Sequence, residues 1–234
     1  MLHRKTSWAI IVLTVIGLCL TGPAAAQKKG GVLKVGNLGE PPTLDAHWTT
    51  ATITEVLTNH VYEGLYAVDA KAQPIPMLAE GMPAVSKDGL SYTFKLRKGI
   101  KFHNGKEMTS ADVVASLNRW GGQSIYGKTL YARVAEVRAI DAYTVQMQLK
   151  EKPATVLISL AVPNNFAAIY PKEVVDKFKP AEKATEWIGT SPFKMVEWKP
   201  DRHIKMVRFD DYQPRQDPPS GYGGRKAVHV DELL

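Results

Sequence analysis

The stretch DGLSYTFKLRKGIKFHNGKEMTSADVVASLNRW, residues 88–120, decides the fold class. Between Ser91 and Arg97 polar and apolar residues alternate, which is the period-two pattern of a half-buried strand. A second short strand is expected before Asn104-Gly105, a turn dipeptide whose residues both tolerate positive φ. Thr109 precedes Asp112 by three residues, a variant of the capping box, and apolar residues follow at helical spacing. The stretch therefore predicts a small α/β unit of two strands, a tight turn and a capped helix.

The rest of the chain predicts further helices and strands in alternation, without internal repeats. Strands are expected where apolar residues are clustered or alternate, and helices where apolar residues recur every three or four positions. The predicted strands are 32–35, two runs flanking Asp141 within 137–149, and a hairpin of 193–198 with 203–207. The predicted helices are 53–61 and 171–178, the latter with proline in its first turn, and 213–224 is predicted as a Pro- and Gly-rich surface loop.

The N-terminus has the pattern of a secretory signal. His3, Arg4 and Lys5 precede an apolar run of thirteen residues, 8–20, and Ala24-Ala25-Ala26 follows as a small-residue cleavage pattern. The run is shorter than the roughly 20 apolar residues that span a bilayer, which disfavours a membrane anchor. A lipid-modified Cys19 is a further alternative. We expect residues 1–26 to be a signal peptide cleaved after Ala26, and the mature chain to be periplasmic.

Composition narrows the function classes. The 234-residue chain has one cysteine, Cys19, which lies in the predicted signal, so no disulfide or thiolate chemistry is expected in the mature chain. The formal net charge is +7, but basic and acidic residues are interspersed rather than gathered in one block. This distribution is typical of a solvated surface and gives little support to nucleic-acid binding.

Several short motifs, in order, resemble those of the family 5 extracytoplasmic solute-binding proteins, which serve ABC importers of peptides, nickel and related solutes. The matching segments span about 160 residues. Two departures are Ala46, where the family usually has proline, and Ser191, where it often has glycine. The segments are 30–35 (GGVLKV), 42–45 (PTLD), 61–65 (VYEGL), 77–80 (MLAE), 101–105 (KFHNG) and 188–193 (IGTSPF).

The resemblance implies an α/β fold of the periplasmic-binding-protein type II class. Family members are longer and fold as two lobes that close on the ligand about a hinge. By this resemblance, residues 27–47 and 186–234 belong to the first lobe, residues 48–185 form an extra subdomain, and the second lobe is missing. The chain is therefore expected to be a fragment or the product of a truncated gene.

The function that the resemblance implies is a substrate-binding component of an ABC transporter, most simply for peptides. A receptor for nickel or another non-peptide solute is the alternative within the class. Cleft-facing residues carried over from peptide-binding relatives are Trp48, Thr50 and Thr52, together with Tyr126 in the loop after the predicted helix. For Trp48 and Tyr126, a role in packing or in the surface loop is an equally open interpretation. The implied partners are the solute and the membrane permease subunits, and a monomer without cofactors is expected.

Catalytic and metal-binding patterns are weak. No G-x-S-x-G sequence is present, and no two of the six histidines lie three or four positions apart. His47, close to the expected cleft, is the one histidine that merits a metal-binding test. No catalytic residue and no metal site are expected.

One motif suggests a different class. Residues 122–129 (GQSIYGKT) fit the phosphate-binding loop G-x-x-x-x-G-K-[ST] of nucleotide hydrolases. That loop requires a strand before it and a helix after it, whereas residues 110–120 are predicted to be a helix. An exported nucleotide-binding hydrolase is kept as the different-class alternative.

Overall fold

The computed structural model describes residues 29–152 and 155–234, so the predicted signal peptide and its cleavage site lie outside the described residues. The account below concerns residues 31–234, which form one compact unit. The strands are β1 (Val32–Leu33), β2 (Tyr66–Val68), β3 (Pro74–Pro76), β4 (Ala84–Val85), β5 (Ser91–Lys95), β6 (Val134–Asp141), β7 (Thr144–Leu149), β8 (Phe193–Lys199), β9 (His203–Arg208) and β10 (Glu232–Leu233). The helices are α1 (Thr52–Thr58), α2 (Ser110–Gln123), α3 (Ile125–Tyr131), α4 (Val156–Ala161) and α5 (Lys172–Val175).

The predicted hairpin near the end of the chain is confirmed and forms half of a four-stranded mixed sheet. The strand order is β1-β10-β9-β8, with β1 and β10 parallel and the other pairs antiparallel. The hairpin turn is closed with Asp201 at φ 58°, a left-handed conformation that aspartate tolerates. The sheet thus joins the start of the described chain to its last strand.

A second four-stranded sheet is antiparallel throughout, in the order β4-β5-β7-β6. The two strands predicted on either side of Asp141 are β6 and β7. On this sheet the apolar residues of β5 and β7 point inward, because alternate residues of a strand face opposite sides. Phe94, Val145 and Met147 are fully buried against helix α2. β2 and β3 form a separate antiparallel pair.

The stretch 88–120 folds largely as predicted. The Asn104-Gly105 turn is present with Gly105 at φ 86°, and α2 begins with the predicted capping box, in which the Thr109 amide donates to Asp112 Oδ2 at 2.8 Å. The expected second strand, however, is reduced to one isolated bridge between Lys101 and Glu107. The fold of this part is therefore one strand, a tight turn and a capped helix.

Helix α1 is shorter than the predicted range 53–61, and its fully buried positions are polar. It ends at Thr58, so His60 and Val61 lie beyond it, and Val56 is exposed. The buried positions are Thr54 and Thr58, and the Thr54 hydroxyl donates to the carbonyl of Thr43 at 2.8 Å. The buried threonine is satisfied by this hydrogen bond, and Leu57 on the same helix packs against an apolar cluster.

The core of residues 31–234 consists of two clusters of buried apolar residues. One lies around the antiparallel sheet and helix α2, with Trp120 and Phe102 among its fully buried members. The other lies against the mixed sheet and includes Tyr62, Tyr170 and Phe193. The division into a first lobe and an extra subdomain, with boundaries at 47/48 and 185/186, stays a prediction. Within the part of the chain that the structure describes, no helix combines the length and apolar character needed to cross a membrane.

Candidate functional site

The predicted contact residues Trp48, Thr50 and Thr52 lie on one segment that leads from a buried turn to Thr52, the first residue of helix α1. All three are exposed, Trp48 with 36% of its surface accessible. The Lys183 ammonium lies 5.5 Å from the centroid of the Trp48 indole, a cation–π distance. An exposed aromatic ring followed by two exposed hydroxyl groups can offer both stacking and hydrogen bonds to a solute.

The turn before this segment is held by a buried ion pair. Arg119, on helix α2, donates hydrogen bonds to both carboxylate oxygens of Asp45, with Nη1 at 3.0 Å from Oδ1. The Tyr170 hydroxyl and the Ala184 amide donate to the same carboxylate at 3.2 and 2.8 Å. Burial alone would raise the pKa of Asp45, but the hydrogen bonds and positive charge of Arg119 hold that pKa below its usual value. Asp45 is therefore ionised and fixes residues 45–47.

His47 belongs to this buried cluster and is not available to a metal. Arg119 Nη1 donates to His47 Nδ1 at 3.0 Å, so His47 Nε2 carries the proton and donates to the Ala168 carbonyl at 2.9 Å. Burial lowers the pKa of His47 to about 3, and the ring is neutral at pH 7. Both ring nitrogens are used within the protein, which removes the reason for testing His47 as a metal ligand. Within residues 29–152 and 155–234, no group of three or more potential ligands could hold a metal ion.

Tyr126 lies on helix α3, half-buried and packed against the apolar cluster around helix α2. The start of α3 is fixed by Asn165, whose Oδ1 accepts from the Ser124 hydroxyl at 2.7 Å and the Ile125 amide at 3.0 Å. The Asn165 amide group reaches the Ala46 carbonyl at 3.4 Å. One side chain thus connects the start of α3 to the buried turn, while the Tyr126 ring itself serves packing.

The residues that fit the phosphate-loop motif do not have its geometry. They run across the junction between α2 and α3, with a helix where the motif needs a strand. Gly127 lies inside α3, and a Cβ at this position would approach the Trp120 carbonyl oxygen to 2.1 Å, so the glycine serves helix packing. At the start of α3, the Ile125 amide is taken by Asn165 and the Gly127 amide by Ser124 Oγ. The structure gives no support to the nucleotide-binding alternative.

A second buried polar cluster centres on Glu63 and was not anticipated from the sequence. Its carboxylate accepts from the Thr190 hydroxyl at 2.9 Å and the Tyr212 hydroxyl at 3.0 Å. Lys226 Nζ lies 3.7 Å from Glu63 Oε1 and donates to Ser191 Oγ at 2.9 Å. Burial lowers the pKa of Lys226. The glutamate belongs to the VYEGL motif, but its partners come from segments more than 120 residues away.

Comparison with known proteins gives a consistent result. The family model described as bacterial extracellular solute-binding proteins, family 5 Middle, matches residues 73–233. The probable peptide ABC transporter periplasmic-binding protein y4tO of Sinorhizobium fredii is 33% identical over 224 residues, which is 95% of this chain and 41% of that protein.

Solved structures of binding proteins match the chain over a similar share of their length. The oligopeptide-binding protein AppA from Bacillus subtilis, in complex with a nonapeptide, matches with a TM-score of 0.72 and 29% identity, over 88% of this chain and 40% of that one. The binding protein AgaA from A. tumefacien R10, in complex with agropinic acid, matches with a TM-score of 0.71 and 29% identity, over 87% and 39%. The chain thus spans about two-fifths of the length of these proteins.

Proposed function

The chain belongs to the bacterial extracellular solute-binding proteins, family 5, and we propose that it is part of a receptor that binds peptides for an ABC importer. The names of y4tO and AppA support peptides as the solute class. The agropinic acid complex of AgaA supports the alternative of a non-peptide solute, the class in which nickel also falls. The proposal includes no catalytic step, because the family binds solutes.

The observation that carries the proposal is the exposed segment 48–52, placed directly after the Asp45–Arg119 ion pair. Its backbone is continuous with a turn that hydrogen bonds and an ion pair hold to three other parts of the chain. A receptor that recognises extended peptides uses main-chain hydrogen bonds and tolerant side-chain pockets, so a segment that starts from a fixed turn and exposes Trp48, Thr50 and Thr52 suits that task. We place Trp48, Thr50 and Thr52 at the solute, and Tyr126 in support of the same wall.

The same proposal gives the location and the partners. A periplasmic protein, delivered by a signal cleaved after Ala26, would pass its solute to membrane permease subunits as a monomer, without nucleic acid. Mass spectrometry of periplasmic extract tests the export, with an N-terminus at Gln27 as the expected result. An uncleaved N-terminus starting at Met1 in the membrane fraction would contradict it.

Calorimetric titration with a mixed library of di- to hexapeptides tests the solute class. We expect binding by the purified protein, and a loss of at least about tenfold in affinity, or 1.4 kcal/mol, for Trp48→Ala. Val196→Ala, which removes an exposed apolar side chain from strand β8, is the control and should leave the affinity within about twofold. Equal affinities for the wild type and Trp48→Ala would show that Trp48 is not part of the site. A heat of binding with nickel or agropinic acid, but not with peptides, would show that the solute is not a peptide.

A further inference from the structure

A polar cavity of about 630 Å³ lies apart from the segment 48–52, where the end of strand β5 meets the loop 212–217. We call it the Arg97 cavity, and the residues that line it and enter the argument are Glu80, Arg97, Tyr212, Arg215, Gln216 and Asp217. None of these residues belongs to the proposed solute site, and the inference below does not depend on peptide binding.

Two guanidinium groups converge at this cavity. Arg97 Nη1 and Arg215 Nη1 both donate to the carbonyl oxygen of Met77, at 3.4 and 3.2 Å. Arg215 also donates to the Ala79 carbonyl at 2.9 Å, and its side chain is only 11% exposed. Two like charges within reach of one carbonyl oxygen repel each other, and in a concave site they attract anions.

Two carboxylates near the cavity have a cation within 4 Å. Asp217 Oδ2 lies 2.6 Å from Arg215 Nε, and Glu63, which Tyr212 contacts, has Lys226 at 3.7 Å. Ala79 and Leu96 form an antiparallel bridge, and the Glu80 amide donates to the Lys95 carbonyl, so Glu80 lies directly opposite Lys95 on the same face.

Among residues 29–152 and 155–234, Arg97 makes no direct ion pair, although the Glu63 and Asp217 carboxylates lie near enough to counter the lowering of its pKa. Its hydrogen bonds go to the backbone carbonyls of Met77, Gln213 and Pro214. A guanidinium has five N–H donors, so part of its hydrogen-bonding capacity is not used by these three bonds. Burial lowers the pKa of Arg97, the neighbouring Glu63 opposes this, and Arg215 adds to the lowering. A half-buried cation of this kind is stabilised by a counter-ion.

We propose that the Arg97 cavity is a binding site for a small oxyanion, a carboxylate or a phosphate group, held by the guanidinium of Arg97 with Arg215 beside it. A planar guanidinium matches the two oxygens of either group in a fork geometry. Tyr212 and Gln216 line the same space and supply polar atoms for the remainder of the ligand. The anion would also bind the loop 212–217 to strand β5.

Nuclear magnetic resonance titrations of the purified protein with sodium acetate and with inorganic phosphate test the proposal. We expect saturable shifts of the backbone amides of residues 212–217 with one or both anions, and the anion that binds more tightly identifies the ligand class. Arg97→Gln should weaken binding at least tenfold. Arg138→Gln, which removes an exposed arginine from strand β6, should leave it unchanged.

A second variant keeps the test decisive if Arg97→Gln does not fold. Gln216 is exposed, so Gln216→Glu should fold normally and place a carboxylate in the cavity that competes with the anion. We expect at least a fivefold weaker affinity for Gln216→Glu and no change for Gln216→Met, which has nearly the same size without the charge. Absence of saturable shifts with either anion, or wild-type affinity in Gln216→Glu, would overturn the proposal.

Discussion

His47 is a neutral ring in the interior, because its two nitrogens lie between the Arg119 guanidinium and the Ala168 carbonyl. Its pKa of about 3 lies below the value of about 6.5 for histidine in an unfolded chain. The unfolded state therefore takes up a proton at a pH where the folded state does not. The stability contributed by the neutral ring is complete above about pH 6.5 and is lost as the pH falls toward 3. His103, with a pKa lowered by burial to about 4, acts in the same direction.

The first prediction follows from this difference in proton uptake. Between pH 7 and pH 5 the free energy of unfolding of His47→Gln should fall by about 2 kcal/mol less than that of the wild type. Urea unfolding at both pH values measures it. His229→Gln, which replaces an exposed histidine, should keep the wild-type pH dependence. A wild-type pH dependence in His47→Gln would show that His47 is not buried in its neutral form.

The second prediction concerns the ion pair that supports the segment 48–52. Arg119→Met leaves the buried Asp45 carboxylate without its cation and should lower the free energy of unfolding by about 3–5 kcal/mol. Adding Asp45→Asn to this variant should restore part of the loss, since the uncompensated charge is then removed. Both are measured by urea unfolding.

The matched control for the ion pair is Arg138→Met, which removes an exposed arginine and should cost less than about 1 kcal/mol. Equal losses for Arg119→Met and Arg138→Met would contradict a structural role for the buried pair.

At the level of single residues, sequence reasoning found positions but not partners. The motif containing Asp45 was visible, and Trp48, Thr50 and Thr52 follow it directly. Arg119, however, is 74 residues away from Asp45, and no local pattern predicts a contact at that separation. That both His47 nitrogens are occupied could not be predicted for the same reason, because the partners Arg119 and Ala168 are distant in sequence.

Among the helices and strands, features set by local chemistry were predicted correctly. The capping box of α2, the Asn104-Gly105 turn and the β8–β9 hairpin each depend on residues a few positions apart. Helix α1 is shorter than predicted, and the burial of Thr54, which bonds to the Thr43 carbonyl, is a feature that the apolar pattern does not show. The prediction of a second strand in the stretch 88–120 was wrong, because these residues form only one isolated bridge, between Lys101 and Glu107.

The third prediction distinguishes two glycines of the phosphate-loop motif. Gly127→Ala would push a methyl group into the Trp120 carbonyl, and we expect a loss of about 1–3 kcal/mol in the free energy of unfolding. Gly122→Ala meets nothing within 4 Å in helix α2 and should be neutral or stabilising by up to about 1 kcal/mol. Thermal unfolding followed by circular dichroism compares them. Equal effects would mean that Gly127 is not a packing residue.

Across the whole molecule, Lys226 connects the segment before β10 to the centre of the chain through Ser191, Asn59 and Glu63. The fourth prediction is that Lys226→Met loosens residues 225–231, since it removes these contacts and the cation paired with the buried Glu63 carboxylate. Hydrogen exchange of these amides should become at least tenfold faster. Lys205→Met, at a half-exposed pair on the same sheet, should have little effect. Unchanged exchange in Lys226→Met would contradict a holding role for this lysine.

The position of β10 between β1 and β9 also fixes the order in which the protein can fold. Val32 pairs with Glu232, so the mixed sheet cannot close until nearly all of the described chain has left the ribosome. The β8–β9 hairpin and the antiparallel sheet need only nearer residues and can form earlier. During that interval β9 presents an open strand edge, a template for pairing with other chains. The nascent protein therefore passes through an aggregation-prone stage, which ends when β10 is inserted between its two neighbours.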